Sequence, residues 1–142
     1  MKNMETQGEN MKNLTKIAKE KIEETKGFIV NNNYKIIKVE ENYCELEGII
    51  TETSLNPFKI VHGGYIFGLA DTAAGIAAMT DERAAVTLDS NINYLKKATG
   101  NKLLAKATTL KKGKTIAVFE VTVYDEDNEI IAKANVTYFY IK

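Results

Sequence analysis

The sequence predicts an α+β domain in which a curved antiparallel β-sheet wraps around one long central helix, with a further helix on the surface at the N-terminus. Three observations carry this. The stretch Asn56 to Met79, NPFKIVHGGYIFGLADTAAGIAAM, is small and apolar on nearly every face from Gly64 onward, which marks a helix buried all round. Around it lie segments in which apolar and polar residues alternate, separated by short polar turns, as half-buried strands require. Short turns join antiparallel neighbours, so the strands form a sheet that closes over the helix.

Taken in order, residues 1–13 are polar and without periodicity, which predicts a flexible tail. Residues 14–142 then form a single domain. Leu14, Ile17, Ala18 and Ile22 recur at helical spacing among lysines and glutamates, and Gly27 stands where the helix should stop. Tyr34 to Val39 and Tyr43 to Ile50 read as strands joined at Glu40–Glu41–Asn42. In the second, Cys44, Leu46, Gly48 and Ile50 share a face. The central helix follows over Gly64 to Met79, then a polar break at Asp81–Glu82–Arg83. In Ala84 to Tyr94, Val86, Leu88, Ile92 and Tyr94 alternate with Thr87, Asp89, Asn91 and Asn93. Strands over Leu103–Leu110, Thr115–Tyr124 and Ile130–Tyr140 complete the chain. Their inward rows are expected to include Ala117, Phe119, Val121 and Val123, then Ile130, Ala132, Ala134, Val136 and Tyr138.

The residue to explain is Asp71, the one strongly polar side chain in the buried helix. A carboxylate there loses hydration at a cost of several kcal/mol unless something compensates, and nothing basic lies within the next turn. At the front of the helix, two glycines follow His62 where amide N–H groups are unpaired and the dipole is positive. A ligand oxygen can approach Gly63 or Gly64 closely. An amide donor and a carboxylate suit attack of water on a carbonyl. Eight residues of helix separate Gly63 from Asp71 by roughly 12 Å, too far for both to touch one carbonyl. Two antiparallel copies about a two-fold axis near Phe67 would bring Gly63 of one chain to Asp71 of the other, which predicts a homodimer with two equivalent sites.

Composition excludes several classes. Lysine plus arginine equal aspartate plus glutamate at 19 each, so there is no basic footprint for nucleic acid. The single cysteine, Cys44, cannot form an internal disulfide and suits a reducing cytoplasm. The N-terminus has no apolar signal core, and Ile60 to Met79 carries His62 and Asp71, which argues against membrane insertion. No cluster of His, Cys and acids has metal-ligand spacing.

Over Tyr34 to Ile141 the chain resembles the hotdog-fold acyl-CoA thioesterases of the phenylacetate-pathway and small mammalian type, within the 4-hydroxybenzoyl-CoA thioesterase superfamily. The resemblance rests on Asn56, His62–Gly63–Gly64, Leu69–Ala70–Asp71–Thr72–Ala73, Thr87 through Tyr94 (TLDSNINY) and Lys112–Gly113–Lys114. It implies homodimers with one continuous sheet, often paired again as tetramers, and no cofactor beyond the coenzyme A of the substrate. Gly63 would present its N–H to the thioester oxygen, helped by Asn56. Asp71 of the facing subunit would activate water, with Thr87 placing it. His62, Gly64, Tyr65, Lys112, Gly113 and Lys114 are expected to bind substrate, and Tyr65, Phe67, Ile76 and Tyr94 to line the acyl pocket.

Plainer roles stand beside these. The plainer alternatives are Asp71 as the N-cap of a second helical segment starting at Thr72, Asn56 as a turn residue before Pro57, and Thr87 as an ordinary strand residue. The row Asp89, Asn91 and Asn93 is either solvated or lines a channel. Lys96, Lys97, Lys111, Lys112 and Lys114 either meet phosphates or are solvated hairpin lysines. The rival activities are an acyl-thioester dehydratase or hydratase, and a non-catalytic acyl-CoA-binding protein on the same scaffold.

Overall fold

Six strands form one antiparallel sheet in the order β1-β2-β4-β5-β6-β3. They are β1 (Tyr34–Glu40), β2 (Tyr43–Ile49), β3 (Ala85–Tyr94), β4 (Lys102–Lys112), β5 (Ile116–Tyr124) and β6 (Ile130–Tyr140). The helices are α1 (Met4–Thr25), α2 (Phe28–Asn31) and α3 (Gly63–Ala78). The computed structural model describes residues 4–142, with side chains from residue 14 onward. Of the tail expected over 1–13, residues 1–3 lie outside the described residues; from Met4 the backbone is helical, so α1 begins ahead of Leu14.

Leu14, Ala18 and Ile22 pack against the core, while Ile17 is exposed. The helix ends at Thr25, just ahead of Gly27 as expected; Lys26 makes the left-handed turn, at φ 48°, and Gly27 caps the short α2. Thr15 Oγ1 accepts from Val39 N–H and donates to Val39 O, both at 3.0 Å. One free edge of the sheet, β1, is therefore bonded by a helix side chain beside its own irregularity between Ile36 and Lys38.

The other edge is β3, which among the described residues pairs only with β6. It does not form a hairpin with β4, as successive strands with a short turn would. The link over residues 95–101 carries the chain from the sheet edge back to the β2–β4–β5 centre. On the way Ala98 O accepts from Val61 N–H at 2.9 Å, pinning this link beside the start of α3.

The inner face of the sheet covers α3 with Cys44, Leu46, Leu103, Ala105, Ala107, Phe119, Val121, Val123, Ala132, Ala134 and Val136, all buried. Alanines at 70, 73, 74, 77 and 78 keep α3 slim enough for the strands to approach. In β6 the inward row runs through Ala132 to Tyr140, and Ile130 is exposed. A register shift between Val123 and Tyr124 on β5 displaces Ile130 from the row.

A second shift alters β3. Thr87 lies opposite Tyr138 and Asp89 opposite Thr137, so Leu88 is the extra residue of a bulge. Strict alternation would set Thr87 with Asp89, Asn91 and Asn93. Across the bulge the face changes, and Ala85, Thr87, Ser90, Ile92 and Tyr94 lie opposite the buried row of β6. Asp89, Asn91 and Asn93 face outward and are exposed.

Candidate active site

The first half of the site is the N-terminus of α3. His62, in extended conformation, is its N-cap: Nδ1 accepts the Gly64 N–H at 2.7 Å. His62 O accepts from Tyr65 and Ile66 N–H at 3.0 and 3.3 Å. Of these first amides, only Gly63 N–H meets no acceptor among the described residues. The choice left open between Gly63 and Gly64 as the free donor thus falls to Gly63. Tyr94 OH donates to Gly63 O at 2.8 Å, and a methyl group at Gly63 would lie 3.2 Å from the Tyr94 ring. Close approach of this ring is a reason for glycine here.

A cleft of about 340 Å³ opens onto this amide, lined by residues that include Asn56, Ile60, Gly63, Tyr94 and Lys97. Asn56 is a turn residue and a cleft residue at once. Its Oδ1 accepts from Phe58 and Ile60 N–H at 2.9 and 3.3 Å. Its side-chain NH₂ meets no acceptor among the described residues and remains a donor. Gly63 N–H and the positive end of the helix dipole make this an electropositive position, with Lys96 and Lys97 also on the cleft wall.

The second half is Asp71, half-buried in the middle of an unbroken α3, so it caps no second segment. Thr87 donates to Asp71 Oδ1 at 2.7 Å, and Tyr138 OH donates to the same oxygen at 3.2 Å and to Asp71 O at 2.7 Å. These bonds offset part of the lost hydration. Asp71 Oδ2 meets no donor among the described residues. Burial, and then the carboxylate's charge and hydrogen bond, push the Tyr138 phenol's ionisation far up, against the opposing effect of Thr87. It stays a donor at working pH.

The structure therefore brings Asp71 to Thr87 and Gly63 to Asn56, in two places along one helix. Other expected ligands are engaged elsewhere. The Gly64 N–H is taken by His62, and a methyl at Gly64 would lie 2.9 Å from Nδ1. Tyr65, expected to bind substrate, is buried against the sheet. Its OH reaches Asn32 O and Ile49 O, each at 2.9 Å, and burial pushes its pKa up to about 12. Lys112 bonds Asn42 Oδ1 and pairs with Asp81 at 3.1 Å, beyond the C-terminal end of α3. Gly113 O and Lys114 O accept from Arg83. Lys96 pairs with Glu129 and Asp125. Among the described residues no three His, Cys, Asp or Glu side chains gather as a metal site.

Tyr138 is the residue that sequence reasoning placed on the inner row without a role. Its signal was available: a buried tyrosine hydroxyl seeks a partner, and the helix it faces offers a single carboxylate and a glycine, Gly75.

A curved antiparallel sheet wrapped around one buried helix is the hotdog fold. The chain belongs to the thioesterase superfamily, whose family model matches residues 58–132, and it is a thioester hydrolase. Acyl-coenzyme A thioesterase PaaI of Escherichia coli is 30% identical over 98 residues, 68% of this chain and 70% of that protein. The structure of E. coli PaaI, from the phenylacetic acid degradation operon, matches in fold with a TM-score of 0.86 at 22% identity, covering 93% of this chain and 96% of that one. A Streptococcus mutans protein solved with acetyl CoA bound is 34% identical with a TM-score of 0.73, covering 77% and 89% of the two chains. No helix among the described residues is long and apolar enough to cross a membrane.

Proposed function

We propose that the chain hydrolyses acyl-CoA thioesters to the free acid and coenzyme A, in sites that two protomers share. The observation that carries this is the pair of open groups on α3: Gly63 N–H at its start and Asp71 Oδ2 two turns later. In an antiparallel pair of α3 helices, each open amide faces the partner's open carboxylate. The unequal sheet edges support the pairing. β1 is bonded by Thr15, whereas β3 leaves its outer edge free and exposes Leu88 by 61%. A long free edge with apolar side chains calls for a partner strand. Edge-to-edge pairing of β3 with its copy makes one continuous sheet, and dimers of such dimers are compatible with it.

In the reaction, the thioester oxygen accepts from Gly63 N–H and the Asn56 NH₂. The facing Asp71 takes a proton from water as the water oxygen bonds to the carbonyl carbon. Negative charge on the tetrahedral oxygen is held by Gly63 and the helix dipole; loss of one such donor typically costs about 10²–10³ in rate. The C–S bond then breaks, and the thiolate of coenzyme A leaves and is protonated. A second route has Asp71 Oδ2 attack the carbonyl to give an anhydride that water opens. Of the lysines considered for the coenzyme A phosphates, Lys97 lines the cleft without an ion pair among the described residues. A lone buried Cys44 fits a reducing compartment, and the proposal places the chain in the cytoplasm.

The test is a panel of short, medium, long and aromatic acyl-CoA substrates with thiol detection, alongside enoyl-CoA hydration and calorimetric binding. Thiol release with turnover is the expected outcome. Hydration without thiol release, or tight binding without turnover, would overturn it.

A further inference from the structure

Four tyrosines tie α3 to the elements packed on it. Tyr34 donates to Tyr65 O at 2.7 Å, Tyr94 to Gly63 O at 2.8 Å, Tyr138 to Asp71 O at 2.7 Å and Tyr140 to Ala78 O at 2.8 Å. Of the four, only Tyr138 also reaches a side-chain acceptor among the described residues, Asp71 Oδ1. We infer that Tyr138, seated in the notch that Gly75 leaves in α3, is a positioning residue that holds the Asp71 carboxylate with Oδ2 outward. This rests on Asp71 being the acid of the proposed reaction.

The notch is specific. A methyl group at Gly75 would lie 2.6 Å from the Tyr138 oxygen and 3.1 Å from Cζ, so the hydroxyl occupies the space a side chain would need. Tyr138 and Thr87 are partners across the β3–β6 ladder, and both donate to one carboxylate oxygen. Thr87 and the single Tyr138 proton, shared with Asp71 O, both restrain Oδ1 and leave the second oxygen uncommitted among the described residues. Among the described residues no charged side chain bonds Asp71. The titratable groups that the packed strands turn toward α3 are Tyr34 on β1, Cys44 on β2, Tyr94 on β3, Lys112 on β4 and Tyr138 and Tyr140 on β6; Lys112 is paired with Asp81 beyond the C-terminal end of α3, and the inner row of β5 is apolar.

The experiment compares Tyr138→Phe, Tyr140→Phe, Gly75→Ala and Asp71→Asn in the full chain by kcat, KM and melting temperature. Tyr138→Phe should lower kcat by roughly tenfold with KM nearly unchanged. Tyr140→Phe removes a bond to a carbonyl alone, so it should lower the melting temperature and leave kcat in place. Gly75→Ala displaces the hydroxyl and should reproduce the Tyr138→Phe loss of kcat; it decides the matter if Tyr138→Phe does not fold. Unchanged kcat in Tyr138→Phe, or an equal loss in Tyr140→Phe, would overturn the inference. If Asp71→Asn is inactive while Tyr138→Phe matches wild type, the inference alone falls. If Asp71→Asn stays active, the reading of Asp71 falls and takes the inference with it.

Discussion

Asp71→Asn tests the chemistry with the least disturbance of structure. The amide oxygen can take the place of Oδ1 and accept from Thr87 and Tyr138, which now lie 2.7 and 3.2 Å from it. The NH₂ then stands where Oδ2 was, with hydrogens in place of a lone pair for water. Hydrogen bonds to a neutral acceptor are weaker than to a carboxylate, by roughly 1 kcal/mol in all. For a chain of this size that is about 3 °C in melting temperature, less whatever is recovered by no longer desolvating a charge. Loss of the base is worth far more: about 10²–10⁴ in kcat, or roughly 3–5 kcal/mol of activation energy. The assay is steady-state release of coenzyme A thiol, with a thermal melt on the same preparation. A folded variant whose kcat falls less than a few-fold would refute the assignment of Asp71.

Three further outcomes follow from the same geometry. Leu88→Lys places a charge on the exposed bulge of β3 and should give monomers by light scattering with activity lost; active dimers would contradict the proposed interface. Gly48→Ala puts a methyl group 2.9 Å from the Tyr65 hydroxyl and 3.2 Å from its ring, and should cost about 1–3 kcal/mol in urea denaturation; an unchanged midpoint would count against that packing. The Asp81 carboxyl is raised by partial burial but more strongly lowered by Arg83 and Lys112, leaving its pKa below the ordinary value. Such a group stabilises the fold fully above its unfolded pKa, and the gain is lost as pH falls through the folded pKa. Asp81→Asn should therefore melt lower than wild type at pH 7, by a modest amount because the site is partly exposed, and the gap should close below about pH 4. A gap that persisted into acid would refute the linkage.

The elements were legible wherever one physical period ran unbroken. The apolar density of Gly64 to Met79 gave α3 to within a residue at each end, and alternation gave β5 its inward row of Ala117, Phe119, Val121 and Val123. Periodicity failed where the period breaks. The Leu88 bulge adds one residue to β3 and turns Thr87 inward, which no strict two-residue pattern expresses. The place of β3 at the sheet edge was hidden for a related reason: a short turn suggests a hairpin, yet residues 95–101 are long enough to cross α3's end. In the site, Asp71 stood out because a charge among alanines demands compensation. Tyr65 and Lys112 misled because their hydroxyl and ammonium are satisfied by backbone and by Asp81, contacts distant in sequence. Tyr138 was missed because a tyrosine in an apolar row reads as core until its hydroxyl is given a partner.

A mixing experiment addresses the sharing of the site between protomers. Asp71→Asn lacks the acid, and Gly63→Val blocks the amide and crowds Tyr94. Each variant alone should be inactive. After equimolar unfolding and refolding together, half of the dimers are mixed, and each mixed dimer holds one intact site out of two. The account predicts recovery of about a quarter of wild-type activity. Mixed dimers, verified by native mass spectrometry, that stay as inactive as their parents would contradict it.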